Sequence, residues 1–242
     1  MRILLLNDDG FNHKNLEETR KALLKYGEVF VSAPKTPKSG ASVSISIKKE
    51  GYAFEVIDNH TIVIDGTPAD CAYVGLAYFK DIDLVVSGTN NGYNEGYDSI
   101  FSGTVGAGLT ASLFSKKVVM LSCDFDDYEN IFTKVQFAMD YIFKNNLLLT
   151  APVISVNFPQ KKFKGPWKFK MGHTPFFPLH EWVEIREDGR AMGHRDFNSP
   201  SLPLSDKDAT NNGYFSITPL HASFEDLALF NELKVIVEKN ET

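Results

Sequence analysis

Two adjacent acidic residues follow the first hydrophobic segment of the chain. The apolar residues 2–6 lead directly into Asn7, Asp8, Asp9 and Gly10. If residues 2–6 form a strand of a parallel sheet, both carboxylates lie at its carboxyl end, where ligands of such sheets bind. A hard divalent cation with oxygen ligands would relieve the repulsion between them. An Asp-Asp-Gly turn without any ligand explains this segment equally well when it is considered alone.

Two later segments place further oxygen atoms after predicted strands. Residues 39–42 (Ser-Gly-Ala-Ser) offer a hydroxyl group that can bind a cation or donate to a phosphate, although Ser-Gly is also a common turn. Residues 87–96 contain three glycines and three asparagines. Asparagine supplies carbonyl oxygens for a hard cation and amide groups for phosphate oxygens. A flexible surface loop is the alternative, but the position directly after a strand favours a site.

A third segment, residues 102–108 (Ser-Gly-Thr-Val-Gly-Ala-Gly), is predicted to begin a helix. Free backbone N–H groups at a helix N-terminus favour an anion, and Ser102 and Thr104 add hydroxyl donors. Alternatively, Thr104 is only the N-cap, and the glycines only allow the helix to pack closely on the sheet. The chain has no GxxxxGK[ST] motif and no GxGxxG motif after its first strand. This argues against P-loop NTPases and against dinucleotide-binding Rossmann proteins.

The hydrophobic pattern predicts a parallel α/β sheet that would bring these segments together. Residues 2–6 and 28–33 are predicted strands joined by a helix over 15–26, and such a connection implies parallel strands. Alternating apolar and polar residues predict half-buried strands at 41–49 and 52–64. The remaining predicted strands are 83–86, 118–121, 153–156 and 214–219, and the remaining predicted helices are 68–79, 104–114, 127–144 and 224–237.

The composition changes after residue 158. Residues 160–200 are rich in Lys, Pro and aromatic residues, and we expect extended ribbons there rather than further strand–helix–strand units. Exposed aromatic residues on such a projection would indicate a protein–protein contact, so an interaction scaffold is one hypothesis for the function. A small satellite core beneath a long loop explains the same residues equally well. The aromatic residues in question are Phe163, Trp167, Phe169, Phe176, Phe177 and Trp182.

The overall composition is that of a soluble globular protein. The chain has 242 residues, 43% of them hydrophobic, and a net charge of −6, which argues against binding to a nucleic-acid polymer. No segment reaches the ~18 apolar residues of a membrane span, and no signal peptide precedes the first strand. Cys71 and Cys123 are predicted to be free, buried thiols, and the histidines form no zinc motif. These observations predict a cytoplasmic protein.

Six segments together resemble the SurE family, the survival-protein phosphatases that act on nucleoside monophosphates. They are NDDG at 7–10, SGAS at 39–42, GTPADC at 66–71, SGTNNGYN at 87–94, SGTV at 102–105 and GYFSITPL at 213–220. The match covers residues 1 to about 220 and is weakest over 160–200. By pattern alone, residues 66–71 indicate a turn and a capped helix start. Residues 205–206 and 213–220 indicate a loop and a strand without a predicted role in function.

The resemblance implies a Rossmann-like three-layer α/β/α core, the SurE-like fold, with a protruding β-ribbon region and a C-terminal helix. Residues 1–158 would form the α/β core with the metal and phosphate site. Residues 159–242 would form the β-ribbon and oligomerisation region with the C-terminal strand and helix, packed with the core as one unit. The resemblance also implies a homodimer or homotetramer in the cytoplasm.

The resemblance further implies a metal-dependent phosphomonoesterase, a 5′-nucleotidase that hydrolyses nucleoside 5′-monophosphates. Nucleoside 3′-monophosphates and short polyphosphate are further candidate substrates. The implied metal ligands are Asp8, Asp9, Ser39 and Asn90, and the implied phosphate contacts are Asn94, Ser102, Gly103 and Thr104. This oxygen-only ligand set suits one Mg²⁺ or Mn²⁺ ion per subunit, with Co²⁺ as a further candidate.

The predicted chemistry is in-line attack on phosphorus by a water molecule whose pKa the cation lowers, with Asp8 and Asp9 as the catalytic residues. An aspartyl-phosphate intermediate on Asp8 or Asp9 is a second hypothesis. It ranks lower because that chemistry is typical of an Asp-x-Asp motif, whereas these two acids are adjacent. The sequence does not identify a proton donor for the leaving group. A non-catalytic nucleotide- or metal-binding protein on the same fold is the alternative function.

Two positions depart from the family pattern. Asn91 replaces a small or basic residue, which could alter substrate preference, and Asn211-Asn212 replaces an acidic residue. Neither departure removes an implied metal ligand.

Overall fold

The computed structural model describes residues 1–47, 49–175, 183–193, 201–223 and 226–239. In this part of the chain, nine strands form one sheet in the order β3-β4-β2-β1-β5-β6-β7-β11-β8, and β9 and β10 form a separate antiparallel pair. The six strands from β4 to β7 in that order run parallel, whereas β3 and β11 are antiparallel to their neighbours β4 and β7. The predicted parallel α/β sheet is therefore confirmed.

The strands are β1 (Arg2–Leu6), β2 (Glu28–Pro34), β3 (Phe54–Asp58), β4 (Thr61–Ile64), β5 (Leu84–Asn91), β6 (Lys117–Cys123), β7 (Val153–Asn157), β8 (Lys168–Met171), β9 (Val183–Ile185), β10 (Ala191–Gly193) and β11 (Tyr214–Pro219). The helices are α1 (Lys14–Leu23), α2 (Pro68–Phe79), α3 (Asp98–Phe101), α4 (Gly103–Ser112), α5 (Ile131–Lys144), α6 (Leu147–Thr150), α7 (Asp206–Asn211) and α8 (Leu227–Lys239).

Helices cover both faces of the sheet. Helices α1 and α5 pack together on one face, and α2 and α4 pack together on the other. Successive residues of a strand point to opposite faces, so Ile3 and Leu5 of β1 enter the apolar cluster under α1 and α5. Leu4 and Leu6 enter the cluster under α2 and α4. These two buried clusters define the three α/β/α layers.

The order of the strands reverses at β1. The chain builds β2 and β4 on one side of β1 and then returns to place β5, β6 and β7 on the other side. The connections that leave β1 and β5 therefore diverge, and this opens a crevice at the carboxyl ends of the two strands. Asp8 and Asp9 follow β1, and Asn90 lies near the end of β5.

The predicted strand at 41–49 is wrong within the residues that the structure describes. Turn hydrogen bonds hold this segment, including one from the Ala41 amide to the Lys38 carbonyl at 3.2 Å and one from the Ser44 amide to the Ala41 carbonyl at 3.2 Å. Ile47 is 93% exposed. Residues 41–47 therefore form an irregular connection that polar contacts attach to its neighbours, despite their alternating pattern.

The prediction for 52–64 is correct in type and wrong in burial. The segment forms two strands, β3 and β4, that pair as a hairpin. The described residues of β4 are fully buried because β4 pairs with β2 inside the sheet, whereas those of β3 are exposed at the sheet edge. Neither strand is half-buried as the alternation had suggested.

Other predicted elements differ mainly at their ends. Strand β5 continues to Asn91 and so includes residues that the sequence assigned to a loop, and helix α5 begins at Ile131 rather than at residue 127. The prediction for Cys71 and Cys123 is confirmed, since both thiols are free and buried.

The aromatic residues after residue 158 divide into two groups. Trp167 and Phe169 pack on Phe137 of α5 and Phe215 of β11, with ring centroids 5.1–5.8 Å apart. They extend the main core, so the prediction that they form an exposed contact surface is wrong for these two rings. Phe163 is also described, and its ring lies against Gly213. The remaining members of the set, Phe176, Phe177 and Trp182, lie outside the described residues. Strands β9 and β10 supply the extended ribbon that the sequence predicts.

No helix in the described ranges is long and apolar enough to cross a membrane.

Candidate metal and phosphate site

Asp8 is a buried carboxylate at the start of the loop after β1. Its side chain is 3% exposed, and its Oδ1 accepts a hydrogen bond of 2.6 Å from the Thr104 hydroxyl. Burial, together with the charge of Asp9, raises the pKa of Asp8 to about 6, against the opposing effect of the Thr104 hydrogen bond. The charged form of Asp8 is therefore less favourable than that of an aspartate in water, and a cation beside it would offset this cost.

Asp9 lies beside the end of β5. Its Oδ2 accepts a hydrogen bond of 3.1 Å from the backbone N–H of Asn91, and burial raises its pKa. His13 Nδ1 is 3.8 Å from the same Oδ2, although no sequence pattern pointed to this histidine. The Nδ1 atom also accepts the amide of Asn15 at the N-cap of α1, and burial lowers the pKa of His13. Both observations favour a neutral imidazole.

Ser39 and Asn90 lie in the same crevice. The Lys38 amide donates to the Asp8 carbonyl at 2.7 Å, which places the following residue, Ser39, beside Asp8. Asn90 donates its amide nitrogen to the Gly92 carbonyl at 2.7 Å, so its Oδ1 is the atom that can serve as a ligand. Asp8, Ser39 and Asn90 line one cavity. The structure thus brings together residues that are up to 82 positions apart in sequence.

The side chain of Asn91, the first departure from the family pattern, forms hydrogen bonds with the loop that follows β6. It accepts the Asp126 amide at 2.8 Å and donates to the Tyr128 hydroxyl at 3.3 Å. The effect of Asn91 on substrate preference stays a prediction.

Helix α4 points its N-terminus at Asp8. Ser102 is the N-cap, and its Oγ accepts the Val105 amide at 3.1 Å. The alternative in which Thr104 is only the N-cap is wrong, because the Thr104 hydroxyl donates to Asp8. Gly103 lies so close to Asp8 that an added Cβ would be 2.8 Å from the Asp8 Cβ and 2.9 Å from Oδ2. Glycine at this position therefore allows the helix start to approach the carboxylate.

Asn94 is buried between β6 and β7. Its Nδ2 donates to Ser122 Oγ at 2.7 Å, and its backbone N–H donates to Asn157 Oδ1 at 3.0 Å. Asn157 Nδ2 returns a hydrogen bond of 3.2 Å to the Asn94 carbonyl. A side-chain amide has two N–H groups, so the second one remains for a ligand. Asn94 also lines the cavity, together with Ser102.

The cavity has a volume of about 850 Å³ and includes residues that the sequence did not select. Glu95 and Asp124 line it, as do Ser205 and Asp206 at the start of α7. The Gly96 amide donates to Asp206 Oδ2 at 3.0 Å across 110 residues of sequence. No spacing rule connects positions so far apart, and Ser205-Asp206 alone indicates only a helix N-cap.

The two adjacent carboxylates fit a divalent cation. In the described part of the chain neither forms an ion pair with a lysine or arginine, while burial raises the pKa of both. No cluster of three or more His, Cys, Asp or Glu side chains that could hold a metal occurs among the described residues. The predicted metal ligands are therefore the two acids, one hydroxyl oxygen and one amide oxygen. Oxygen ligands of this kind suit a hard ion.

The fold and the site define a class of three-layer α/β proteins with a buried acidic pair and a helix N-terminus at the switch point of a parallel sheet. The sequence model of the family described as "Survival protein SurE" matches residues 3–175. The chain therefore belongs to the SurE family.

Relatives match over nearly the whole chain. A protein named 5′-nucleotidase SurE from Clostridium beijerinckii is 34% identical and covers 99% of this chain and 100% of its own length. A protein of the same name from Haemophilus influenzae is 33% identical, with 96% of this chain and 95% of its own length covered. The crystal structure of a SurE protein from Aquifex aeolicus superimposes with a TM-score of 0.81 at 27% identity and covers 98% of this chain and 99% of its own.

Proposed function

We propose that this protein is a metal-dependent phosphomonoesterase that hydrolyses nucleoside 5′-monophosphates to nucleoside and phosphate. The observation that carries the proposal is the convergence of Asp8, Asn90 and Ser102, the N-cap of α4, around one cavity. Asp9 does not line the cavity and lies beside the end of β5, where it accepts the Asn91 amide. The names of the relatives from Clostridium and Haemophilus support a nucleotide substrate. Nucleoside 3′-monophosphates and short polyphosphate are further substrates to be tested.

We assign one divalent ion, Mg²⁺ or Mn²⁺ with Co²⁺ as a further candidate, to the oxygen atoms of Asp8, Asp9, Ser39 and Asn90. When bound, such an ion polarises a phosphoryl oxygen and neutralises negative charge on it. The Thr104 hydrogen bond and the close approach of Gly103 hold Asp8 in one orientation. This restraint supports Asp8 as a fixed ligand and favours water over Asp8 as the nucleophile.

The phosphate group of the substrate is assigned to the start of α4 and to Asn94. The Ser102 oxygen accepts the Val105 amide, and its hydroxyl hydrogen remains to be donated to a phosphate oxygen. The backbone N–H groups of Gly103 and Thr104 lie in the first helical turn, where a helix has no acceptor of its own. The N–H of Thr104 also faces the Asp8 carboxylate and lowers its pKa. The second N–H of the Asn94 amide supplies a further donor. These donors would stabilise the charge on the phosphoryl oxygens as the bond to the leaving group breaks.

The rest of the cavity has room for a nucleoside. Its volume of about 850 Å³ lies within the range of about 300–1,000 Å³ that is typical of small-molecule sites. Tyr93, Phe101 and Phe125 line it and offer aromatic surface beside the polar groups. This composition supports a substrate that has both an anionic group and a flat apolar ring.

The test is phosphate release from a panel of nucleoside 5′- and 3′-monophosphates and short polyphosphate. Each substrate is measured with EDTA and with Mg²⁺, Mn²⁺ or Co²⁺. We expect metal-dependent release from at least one nucleoside 5′-monophosphate and a loss of at least about a hundredfold in Asp8→Asn. The matched control is Asp81→Asn, because Asp81 is exposed at a left-handed turn position that asparagine also tolerates.

Ligand binding in calorimetry without phosphate release under any metal would contradict the enzymatic proposal. It would favour a nucleotide- or metal-binding protein instead.

We also propose that the chain assembles as a homodimer or homotetramer and acts in the cytoplasm. Leu229, Phe230 and Leu233 of α8 are each at least 50% exposed, and burial against another subunit would remove this apolar surface from water. The free buried thiols of Cys71 and Cys123 support a reducing compartment. Light scattering of the wild type and of Leu233→Glu tests the assembly, and a monomeric wild type would contradict it.

We propose, finally, a division of the chain into an α/β core over residues 1–158 and a ribbon, strand and helix region over 159–242 that pack as one unit. Strand β11 supports the packing because it pairs with β7 of the core.

A further inference from the structure

Hydrolysis of a nucleotide needs a proton for the leaving oxygen, and none of the residues assigned above supplies it. Asp8, Asp9, Ser39 and Asn90 are assigned to the cation, and the donors at the start of α4 are assigned to the phosphate. His13 lies 3.8 Å from Asp9 and is not among the residues that line the cavity. The proton donor must therefore be another group that lines the cavity.

Glu95 occupies such a position. It follows Asn94 directly and lines the same cavity as Asp8 and Ser102. Its Oε1 accepts a hydrogen bond of 2.6 Å from the Thr210 hydroxyl of α7, and its backbone carbonyl accepts the Asp98 amide at 3.1 Å. One hydrogen bond thus holds the carboxyl group of Glu95, and the other holds its backbone, at the wall of the cavity.

The charged groups around Glu95 favour its neutral form. Burial is the largest effect and raises the pKa of Glu95 to about 8, with Asp206 and Asp98 adding to the increase. The Thr210 hydrogen bond and the charge of Lys207 oppose it. These groups come from the two elements packed against Glu95, namely α3 and α7.

Asp206, an acid on α7, differs from Glu95 in the number of its hydrogen bonds. Its carboxylate accepts the Gly96 amide at 3.0 Å, the Lys207 amide at 2.8 Å and the Thr174 hydroxyl at 3.0 Å. Burial raises the pKa of Asp206 as well, and these three donors oppose the increase. Of the two acids, Asp206 therefore has the more strongly stabilised carboxylate, and Glu95 is the better proton donor.

We infer that Glu95 is the general acid of the reaction and donates its proton to the leaving oxygen of the substrate. This role rests on the phosphomonoesterase function proposed above. Water adds to phosphorus as the bond between phosphorus and the leaving oxygen breaks, and the Glu95 proton passes to that oxygen. The products are the alcohol and phosphate, and the Glu95 carboxylate regains a proton from solvent. A neutral acid also adds no charge that would repel the incoming phosphate.

Tyr93 is one competing donor in the same wall. Its hydroxyl is buried and has no hydrogen-bond partner among the described residues. Burial and the charge of Asp124 raise the pKa of this phenol further above its ordinary value of 10.0. A weaker acid transfers its proton less readily, so Glu95 is better matched to neutral pH.

The test compares two leaving groups in the wild type and in Glu95→Gln, which keeps an oxygen for the Thr210 hydroxyl. A nucleoside 5′-monophosphate needs a proton on its leaving oxygen, whereas p-nitrophenyl phosphate releases a phenolate that is stable without one. We expect kcat for the nucleotide to fall about 10²–10⁴-fold and kcat for p-nitrophenyl phosphate to change by less than about threefold. In the wild type, kcat for the nucleotide should fall at alkaline pH as Glu95 loses its proton, and this decrease should be absent in Glu95→Gln. Glu55→Gln, on the exposed strand β3, is the matched control.

Equal losses on both substrates, or no loss on either, would overturn the role of Glu95. Infrared difference spectra of wild type minus Glu95→Gln at pH 7 give a second readout that needs no turnover. A neutral carboxyl band is expected, and an ionised Glu95 in an active enzyme would overturn the role while leaving the proposed function intact. A wild type that releases phosphate from neither substrate would overturn the proposed function and this role with it.

Discussion

Asp8 meets two opposing requirements at the scale of a single residue. Its charge is unfavourable in the folded protein without a cation, because the side chain is 3% exposed and Asp9 is adjacent. The same charge is what would bind a cation tightly once one is present. The carboxylate therefore lowers the stability of the metal-free protein and contributes to the stability of the metal-bound one.

We predict that Asp8→Asn is more stable than the wild type without metal and less responsive to it. Removal of the buried charge should raise the free energy of unfolding at pH 7.5 by about 1–3 kcal/mol, since the pKa of Asp8 is raised from 3.8 to about 6. Thermal unfolding with EDTA and with Mn²⁺ measures both effects. Equal stabilisation of the two proteins by Mn²⁺ would contradict the assignment of Asp8 as a ligand.

Gly103 gives a second prediction at the same scale. In Gly103→Ala the added Cβ would meet the Asp8 side chain at 2.8–2.9 Å, so the carboxylate or the helix start must move. We expect affinity for Mn²⁺ and turnover to fall about 10–100-fold. Gly108→Ala is the comparison in the same helix, because its Cβ would crowd the core at 2.6 Å from Met120 and 3.2 Å from Val118 and would not meet Asp8. A similar loss of metal affinity in both variants would show that the effect comes from helix α4 as a whole.

Glu95 gives a pH dependence of stability that is independent of its catalytic role. Its pKa rises from 4.5 to about 8 on folding, so its stabilising contribution is complete below pH 4.5 and is lost as the pH rises through 8. The wild type should therefore lose stability relative to Glu95→Gln across this window, on the order of 2 kcal/mol after allowance for the partial exposure of the group. Urea unfolding of both proteins at several pH values measures the difference, and parallel curves would contradict the raised pKa.

The residues of the site differ in how well the sequence could predict them. Asp8 and Asn90 were recognisable because each follows or ends a hydrophobic strand, and strand ends carry ligands in this class of sheet. Glu95 and Asp206 were not recognisable, because their contacts form only when α7 packs beside the loop after β5. Residues that act through contacts between distant segments leave no local pattern in the sequence.

At the scale of elements, α2 begins with a capping box that also holds a distant loop. Thr67 Oγ1 accepts the Asp70 amide at 3.1 Å, and Asp70 Oδ2 accepts the Thr67 amide at 2.8 Å. Asp70 additionally accepts the amide and the hydroxyl of Ser46, at 2.8 and 2.7 Å. The predicted capped helix start at 66–71 is confirmed. Because Asp70 also binds Ser46, residues 41–47 are held in place without pairing to a strand.

We predict that Asp70→Ala destabilises both the helix start and this loop. Loss of a cap and of two partly buried hydrogen bonds should lower the free energy of unfolding by about 2–3 kcal/mol. Hydrogen exchange should increase at the amides of Ser46 and Thr67. Ser46→Ala removes the hydroxyl contact and keeps the contact of its backbone amide with Asp70, so it should increase exchange in the loop by less than Asp70→Ala does and leave the amide of Thr67 protected. Equal exchange at both amides in the two variants would contradict the proposed link.

Element boundaries were predictable only where the local sequence determines them. Helix α2 runs over the predicted residues 68–79 because Thr67 and Pro68 define its start locally. Strand β4 is buried because it pairs with β2, whereas β3 pairs only with β4 and is exposed. Both strands have alternating sequences, so the pattern does not show which of them pairs with β2. Burial of a strand is thus a property of its place in the sheet.

At the scale of the whole molecule, the C-terminal region completes the core. Strand β11 lies between β7 and β8, and its Phe215 packs against Phe158 with ring centroids 5.1 Å apart. Phe215 and Ile217 belong to the same buried cluster as the central strands. The sequence predicted β11 as a strand, but its position beside β7 depends on contacts across about 60 residues and could not be read from the pattern.

A chain that ends at residue 158 should therefore fail to fold cooperatively, although it contains every residue assigned to the cation and the phosphate. The truncation would expose the edge of β7 and remove Phe215 from the core, and loss of one buried phenylalanine alone costs about 3–5 kcal/mol. Circular dichroism and calorimetry should show no sharp thermal transition. A chain that ends at residue 223 is the control, since it keeps β11 and lacks α8. It should unfold cooperatively and form a smaller particle. A sharp transition in the shorter chain would instead establish residues 1–158 as an independent domain, with β11 added to the edge of a sheet that is already stable.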